Sequence, residues 1–375
     1  MLFGLILKLE IMQKEFPRDD KNNNLKVIVA LSGGVDSTVA AIEAKKNFSQ
    51  VEGIFLDFFR QGDLKKRIQK IAEELNLRLT IIDAQEMFQR KVVDYFFNSY
   101  QSGLTPNPCV VCNQKIKFGW FFDKARKERD LLVTGHYAWI KKDNSNFFLY
   151  RAKNKKQDQS YFLWQLKRAW LKQIWFPLSN LSKEEVIKIA RQNGVWKYCQ
   201  KPSQDFCFLG QMEKGNQPFL NKQSKLFSVY QWKLIEFESG KYLGECLGIF
   251  FTLGQRKGFG LGGGPWYLIK IDSRERNLFV TRDKSKLFIQ KVLVHHLNWL
   301  IDWPTKFPLN LEVKTRSTAQ SVLARIIKKE SEKLLLIRFR EPQLIAPAGQ
   351  SAVFYRNDQV VGGGIISENS FSSAF

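Results

Sequence analysis

The chain has 375 residues, 44% of them hydrophobic, and a formal net charge of +23 at pH 7. That length favours two or three domains, and that hydrophobic content leaves enough apolar material for folded cores. A surface this basic repels itself unless it faces a polyanion, so nucleic acid is the favoured partner, and an anionic membrane comes second. The alternative explanation of the high net charge is a genome with lysine-rich codon usage.

The N-terminal residues 1–12 are apolar, but the run is about half of a bilayer span and contains Lys8 and Glu10. It lacks the basic start and the small-residue cleavage site of a secretory signal, and no later stretch reaches spanning length without charges. We therefore expect no association with a membrane. The five cysteines, an odd number, then predict reduced thiols in the cytoplasm.

The N-terminal half alternates predicted strands and helices. Residues 25–31 form a short apolar run rich in β-branched residues, as a buried strand does, and a glycine turn follows at once. Such alternation is typical of parallel βαβ units, so we predict an α/β fold with a doubly wound parallel sheet. The predicted strands are 25–31, 51–57, 78–83 and 131–134, and the predicted helices are 37–46, 64–76, 85–100 and 113–129.

Further along, Ser182 and Glu185 form a capping-box pattern that predicts the start of a helix, and Gly194 predicts its end. Beyond residue 213 the pattern changes to short β-rich runs separated by Gly, Asp, Asn and Pro, and residues 355–359 predict a hairpin turn. The runs are 247–252, 266–271, 277–281 and 333–340. We predict an N-terminal extension at 1–20, a nucleotide-binding catalytic domain at 21–213, a small central β-rich domain at 214–284 and a C-terminal β-barrel domain at 285–375.

The sharpest local pattern is the loop Ser32-Gly-Gly-Val-Asp-Ser37, between the first predicted strand and the first predicted helix. Two glycines let the backbone approach a polyanion with its N–H groups turned inward, and the helix N-terminus adds a partial positive charge. Asp36 is a candidate for holding the Mg²⁺ ion that accompanies a nucleotide. The loop resembles the PP-loop of ATP pyrophosphatases, which activate a carbonyl oxygen by adenylation, and it lacks the Gly-Lys-Ser/Thr ending of a Walker A loop.

Two cysteine segments point to sulfur chemistry. Thr105-Pro-Asn-Pro-Cys-Val-Val-Cys112-Asn lies between two predicted helices of the nucleotide-binding domain, and Ser203-Gln-Asp-Phe-Cys207-Phe lies about one hundred residues later. Sulfur transfer needs one thiol that carries a persulfide and a second thiol that attacks it, and a disulfide is the expected by-product. An alternative is an iron–sulfur cluster or a zinc ion held by Cys109, Cys112 and Cys207, although a fourth ligand is missing.

These segments resemble the tRNA-specific 2-thiouridylase family, which carries a Thr-Pro-Asn-Pro-x-x-x-Cys-Asn loop and a Ser-Gln-x-x-Cys-Phe segment. The motifs at 135–138, 158–163, 253–260 and 348–355 match its other signatures, so the resemblance covers residues 25–366. It implies an ATP-dependent sulfurtransferase that adenylates the 2-oxygen of the wobble uridine of tRNA and replaces it with sulfur. The implied partners are tRNA and a protein that delivers a persulfide, and the implied cofactors are ATP and Mg²⁺.

By the same resemblance, Cys112 takes the nucleophile position and Cys207 the persulfide position. Cys109 stands where many members have Asp, which puts the assistance of that Asp in doubt here. The residues implied to bind ATP are Ala30, Leu31, Ser32, Gly33, Gly34, Val35, Asp36, Ser37, Leu56 and Gly135. The residues implied to contact the target base or the tRNA are Asn107, Pro108, Cys109, His136, Gln157, Asp158, Gln159, Arg316, Ser317 and Gln350.

The C-terminal part is rich in cations, and a solvated face explains any one of them. Together, on a β module joined to an ATP-activating domain, they favour a phosphate-contacting surface. They are Lys314, Arg316, Arg325, Lys328, Lys329, Lys333, Arg338 and Arg340. Two other functions stay open: another PP-loop enzyme, such as an amidating synthetase, and a non-catalytic RNA-binding protein with a relic nucleotide fold.

Overall fold

The computed structural model describes residues 25–121, 130–199, 207–209, 229–329 and 333–368. The chain divides into two compact units, and each is discontinuous in sequence. Unit 1 is built from Met1–Gln89, Val110–Asp205 and Asp358–Val361, and unit 2 from Arg90–Cys109, Phe206–Asn357 and Gly362–Phe375. The predicted extension at 1–20 lies outside the described residues.

Unit 1 contains a five-stranded parallel sheet in the order β3-β2-β1-β4-β7. Its strands are rich in Val, Ile and Leu because both faces of a parallel sheet are covered. The side chains of β1 are buried or nearly so. The strands are β1 Val27–Ala30, β2 Val51–Asp57, β3 Arg78–Asp83, β4 Leu131–Val133 and β7 Ile174–Trp175.

The helices of unit 1 pack on this sheet through residues such as Val39, Ile68 and Val186, which are fully buried. The last helix opens with the predicted capping box, since Ser182 Oγ accepts from the Glu185 N–H and the Glu185 carboxylate accepts from the Ser182 N–H. We number the α-helices of both units in chain order, with α4 in unit 2: α1 Val35–Asn47, α2 Gly62–Glu74, α3 Gln85–Phe88, α4 Asp94–Gln101, α5 Pro108–Val111 and α6 Lys183–Gln192.

Two predicted helices are less regular than their patterns suggest. The helix predicted over 85–100 is split by a π-helical turn at Gln89–Val93, and residues Cys112–Trp120 are also π-helical. Wider turns of this kind occur often at functional sites. Part of the helix predicted over 113–129 lies outside the described residues. Short 3₁₀ turns occur at Ser160–Phe162, Arg168–Gln173, Trp196–Tyr198 and Lys284–Leu287.

Unit 1 also contains a hairpin that the sequence analysis did not predict, formed by β5 Ala138–Asp143 and β6 Asn146–Arg151. Gln359, the first residue of strand β17 (Gln359–Ile366), pairs with Tyr150 of this hairpin. The strand β17 therefore starts in unit 1 and continues in unit 2.

Unit 2 contains the predicted β structure. Four strands form a sheet in the order β10-β11-β8-β9, and six further strands close into an antiparallel barrel because β12 pairs with β17. The hairpin predicted at 355–359 joins β16 to β17. The strands are β8 Tyr230–Glu236, β9 Tyr242–Gly248, β10 Tyr267–Asp272, β11 Asn277–Thr281, β12 Phe288–Trp299, β13 Leu309–Lys314, β14 Val322–Lys328, β15 Leu335–Leu344, β16 Ser351–Arg356 and β17 Gln359–Ile366.

The predicted fold class is thus confirmed, and one predicted strand is corrected. The run 247–252 is not a strand, because β9 ends at Gly248 and Phe251 leaves the sheet edge to pack its ring on Trp232 at 5.5 Å. An apolar run can be buried by packing as well as by pairing. No helix within the described ranges combines the length and the apolarity needed to cross a bilayer.

Candidate active site

Two loops of unit 1 meet at the carboxyl edge of the parallel sheet, one after β1 and one after β4. Strand β1 lies between β2 and β4. The chain passes from β1 to β2 and β3 on one side and later adds β4 and β7 on the other side, so the strand order reverses at β1. Open α/β sheets bind ligands at such switch points. The predicted ATP-binding residues from Ala30 to Ser37 and Gly135 all belong to these two loops or flank them, and Leu56 is buried near the end of the adjacent β2.

The first loop is closed by serine hydroxyls. Ser37 Oγ lies 3.1 Å from both the backbone nitrogen and the hydroxyl of Ser32, and it donates to Gly34 O at 3.0 Å. Gly33 has φ +79°, and α1 begins within the loop, at Val35. The loop therefore presents a tight turn with a helix N-terminus behind it, which is the arrangement that suits a phosphate group.

The second loop touches the first through Gly135. A Cβ atom at this position would lie 2.6 Å from the carbonyl carbon of Asp36 and 2.6 Å from the nitrogen of Ser37. Both partners are backbone atoms, which cannot move aside cheaply. Glycine is thus required here by the close approach of the two loops.

The Asp36 carboxylate already has two donors. Lys183 Nζ lies 2.6 Å and 2.8 Å from its two oxygens, and the Tyr137 hydroxyl donates to Oδ1 at 2.7 Å. Burial and the neighbouring carboxylate raise the pKa of Tyr137, so its hydroxyl keeps its proton. Sequence reasoning missed both partners. For Lys183 the sequence carries one signal of a special role. Lys183 places a cation at the first position of helix α6, where a negatively charged side chain is preferred.

His136 lies beside this site as a neutral ring. Its Nδ1 atom is 2.7 Å from the Thr134 hydroxyl, and its ring packs against Phe118 and Phe176 at centroid distances of 5.8 Å. Burial, together with the nearby Lys117 charge, holds the pKa of His136 well below its usual range. The imidazole therefore acts as a hydrogen-bonding group and stays uncharged at neutral pH.

The predicted tRNA-contacting segment at 157–159 supports the second loop. Gln159 Oε1 accepts from the Tyr137 N–H at 3.0 Å, and Asp158 Oδ1 accepts from the N–H groups of Ala152 and Ser160. The side-chain oxygen of Gln157 is buried without a hydrogen-bond partner. The structure thus gives Asp158 and Gln159 local partners within unit 1.

The segment that precedes the first cysteines belongs to unit 2. Asn107 is buried, and Cys109 is half-buried in the short helix α5. The predicted residue Gln350 donates to the backbone of this segment, Arg316 donates to two backbone carbonyls, and Ser317 is exposed. Pro108 is the first residue of α5, the position at which proline fits a helix.

The two cysteines of the expected relay differ in exposure. Cys112 is buried at the start of the π-helical turn, in unit 1, and Cys207 is exposed, in unit 2. Phe208 anchors the short described stretch around Cys207, since its ring packs on Phe96 at 5.0 Å. The residues on both sides, 200–206 and 210–228, lie outside the described ranges, so the proposed pairing of the two thiols remains a prediction.

The alternative of a metal centre would need Cys109, Cys112 and Cys207 as ligands. Across the described residues, no three His, Cys, Asp or Glu side chains lie together as metal ligands. Cys199 lies beside α1 instead, where its thiol is 3.7 Å from the Thr38 hydroxyl and burial raises its pKa. A thiol with a raised pKa is a poor nucleophile, which agrees with the packing role predicted for Cys199.

Comparison with known proteins bears on the whole chain. Family models match three successive segments: the tRNA methyl transferase HUP domain over residues 25–211, the tRNA methyl transferase PRC-barrel domain over 223–282, and the aminomethyltransferase beta-barrel domain over 289–366.

Curated relatives match nearly end to end. The tRNA-specific 2-thiouridylase MnmA of Buchnera aphidicola is 35% identical over 92% of this chain and 97% of its own length. MnmA 2 of Clostridium botulinum is 35% identical over 91% of this chain and 98% of its own. MnmA of Desulfotalea psychrophila is 36% identical over 90% of this chain and 98% of its own. The chain belongs to the tRNA-specific 2-thiouridylase family.

Proposed function

We propose that this protein is an ATP-dependent tRNA sulfurtransferase that converts the wobble uridine of tRNA to 2-thiouridine in the cytoplasm. The observation that carries the proposal is the loop Ser32–Ser37 at the sheet's switch point, in a chain that matches 2-thiouridylases along nearly their whole length. A relic nucleotide fold would have no need of an ordered loop with two donors on Asp36.

The first step is activation of the uridine. The 2-oxygen attacks the α-phosphorus of ATP, and pyrophosphate leaves. The turn at Gly33 and Gly34 and the N-terminus of α1 suit the phosphates, because backbone N–H groups stabilise negative charge without having to reorganise. Asp36 is the residue that would hold Mg²⁺, which supplies charge neutralisation for the phosphates. Its oxygens now accept from Lys183, so metal binding and this ion pair compete for one carboxylate.

The second step is sulfur transfer. A persulfide on Cys207, delivered by a partner protein, supplies sulfur at the sulfane oxidation level. Attack of the Cys112 thiolate on the Cys207 sulfur forms a Cys112–Cys207 disulfide and releases hydrosulfide, which displaces AMP from the activated carbon. In the other route, the terminal sulfur of the Cys207 persulfide attacks that carbon directly and expels AMP. The Cys112 thiolate then attacks the Cys207 sulfur, which forms the Cys112–Cys207 disulfide and leaves the terminal sulfur on the uridine. Either route oxidises two thiols to a disulfide, which a cellular thiol reductant resets.

The exposures of the cysteines support this division of roles. Cys207 is exposed, as a thiol that accepts sulfur from another protein has to be, and Cys112 is buried, where a thiol meets few outside oxidants. Cys109 is half-buried in the position where many other members carry Asp, and a thiol can also donate or accept a proton there.

The outer face of the barrel supports an RNA partner. Lys291 pairs across strands with Arg338, and Arg338 pairs with Arg325, so three cations lie side by side on β12, β15 and β14. All three are exposed. Like charges directly opposite each other destabilise a sheet, and a polyanionic backbone on this row would relieve the repulsion.

The test is a reconstituted reaction with tRNA, ATP, a persulfide donor and no reductant. We expect pyrophosphate release that depends on tRNA, and a disulfide between Cys112 and Cys207 found by peptide mass spectrometry. Cys207→Ser is expected to carry no sulfur, and Cys112→Ser to accept sulfur without completing thiolation.

Cys109→Ser is the control that separates the relay from the metal alternative. A relay would only be slowed by this change, whereas a cluster or zinc site would lose a ligand. Loss of a metal that purifies with the protein would replace the relay with the cluster. Full activity in all three serine variants would end the sulfur-transfer proposal.

A further inference from the structure

The loop Thr105–Pro108, which precedes Cys109, is held by residues far away in sequence but within the same unit. Gln350 Nε2 donates to Thr105 O at 3.1 Å and to Pro106 O at 3.0 Å. Because both partners are carbonyl oxygens, the amide nitrogen has to face them, and both of its hydrogens are engaged.

The backbone next to Gln350 reaches the same loop. The Thr105 N–H donates to Ala348 O at 2.8 Å. Gly349 has φ +88°, and a Cβ atom there would lie 2.9 Å from Thr105 O. A side chain at this position would be strained and would also push against the loop, so glycine is required on two grounds.

Arg316 ties the barrel segment to the central β module. Its Nη2 atom donates to Ile345 O at 2.7 Å and to Leu253 O at 3.2 Å. The adjacent Thr252 hydroxyl is 3.2 Å from the Thr105 hydroxyl. Three segments thus converge on one another: 105–106, 252–253 and 345–350. We call these three segments the clamp, and they line a shared cavity of about 390 Å³.

The geometry points to a positioning role for Gln350, with Arg316 holding the neighbouring backbone at Leu253. We propose that Gln350 holds the Thr105–Pro108 loop in the conformation that presents Asn107 and Cys109 to the target base, instead of donating to tRNA phosphates. Phosphate oxygens only accept hydrogen bonds, and both donors of Gln350 already serve the loop. Two prolines stiffen the loop, so fixing Thr105 and Pro106 also restricts Asn107. This inference rests on the proposed tRNA thiolation.

The first experiment separates positioning from binding. Gln350→Leu removes both donors at similar volume, and Gln320→Leu is the matched control, an exposed glutamine on the same barrel. We measure tRNA affinity and the single-turnover rate of thiolation at saturating tRNA. We expect Gln350→Leu to slow that rate about tenfold, since two hydrogen bonds are lost, while tRNA affinity stays within about twofold.

The second experiment needs neither tRNA nor ATP. Hydrogen–deuterium exchange of the segment 99–109 is followed in the full chain, in which the Thr105 and Leu104 amides are hydrogen-bonded. We expect Gln350→Leu and Gly349→Ala to speed exchange there about tenfold. Gly240→Ala is the control, because Gly240 also has a positive φ, +69°, but its Cβ would meet no atom within 4 Å.

Two outcomes would overturn the proposed positioning role of Gln350. Unchanged exchange of 99–109 in both variants would show that Gln350 and Gly349 do not hold the loop, even if thiolation itself is established. A tRNA affinity that falls about tenfold in Gln350→Leu with an unchanged saturated rate would make Gln350 a direct contact. A wild-type protein that thiolates no tRNA would instead remove the proposed function, and the exchange result would then report on the loop alone.

Discussion

The nucleotide loop Ser32–Ser37 and the target loop Thr105–Pro108 are both short and both approached by a glycine, but they are held differently. The turn of the first loop is closed by internal hydrogen bonds between residues at most five positions apart, and only the Asp36 side chain has distant partners, Tyr137 and Lys183. The second loop is held by Gln350 and Ala348, more than 240 positions away. The first loop can form as soon as β1 and α1 form, whereas the second needs the barrel to be folded.

This difference suggests how each loop fails. Damage to the nucleotide loop should remove ATP chemistry and leave the target loop and tRNA binding intact, because the determinants of the nucleotide loop lie in unit 1. Damage to the barrel segment 345–350 should misplace the target loop without disturbing the nucleotide loop. Three predictions follow, from the largest expected effect to the smallest, and the first two test this separation.

Asp36→Ala is expected to reduce tRNA-dependent pyrophosphate release by roughly 10²- to 10³-fold, because the site loses the carboxylate that is proposed to handle metal and phosphate. Binding of tRNA should change by less than about twofold, since no phosphate of tRNA is proposed to meet Asp36. Pyrophosphate release and tRNA affinity are measured on the same preparations.

Asp63→Ala is the matched control, an exposed aspartate in the first turn of α2, and it should leave both quantities unchanged. Lys183→Met, which leaves Asp36 without its ion pair, should give an intermediate loss of about tenfold in pyrophosphate release. Wild-type turnover in Asp36→Ala would end the assignment of this loop to ATP.

Gly135→Ala is expected to weaken ATP binding about tenfold, because the added methyl group would push the second loop off the backbone of Asp36 and Ser37. The comparison variant is Gly62→Ala, since a Cβ atom on Gly62 would meet nothing within 4 Å. The measurement is the equilibrium dissociation constant for ATP in Gly135→Ala, Gly62→Ala and the wild type. If the target loop also loosens in hydrogen exchange, the two loops are coupled and the separation proposed above is wrong.

The smallest effect concerns pH and stability. The pKa of His136 in the folded protein lies below its unfolded value, so on acidification the unfolded state takes up a proton that the folded state does not. Its contribution to stability is therefore present above the unfolded pKa, about 6.5, and is lost as the pH falls below it, with a slope of at most about 1.4 kcal/mol per pH unit. Between pH 7 and pH 5, the midpoint temperature of thermal unfolding should therefore depend less on pH in His136→Gln than in the wild type.

His295 in unit 2 is the comparison for this change. Its pKa is also lowered, by burial and by the neighbouring His296, but less strongly than that of His136. We expect His295→Gln to flatten the pH dependence less than His136→Gln does. The opposite ranking would mean that burial around His136 does not govern its protonation.

The elements that the sequence predicted best are those with strong local signals. The strands at 51–57 and 78–83 match the structure, and so does the capping box of α6, because β-branched runs and Ser-x-x-Glu patterns act over a few residues. The hairpin β5–β6 was missed because its two strands contain charged and aromatic residues without a regular alternation of polar and apolar positions. The pairing of each strand with its partner strand, which no local pattern shows, decides their structure.

For the candidate site, the sequence by itself determined the residue types and their order: the glycine loop, the two cysteine segments and the basic barrel. Only the tertiary structure decided which side chains meet. It brought Lys183 to Asp36 across 147 positions and Gln350 to Thr105 across 245, and it set Arg338 between two other cations. Local patterns depend on the backbone of a few residues, whereas these contacts depend on how sheets and barrels bring distant segments together, which no short stretch of sequence encodes.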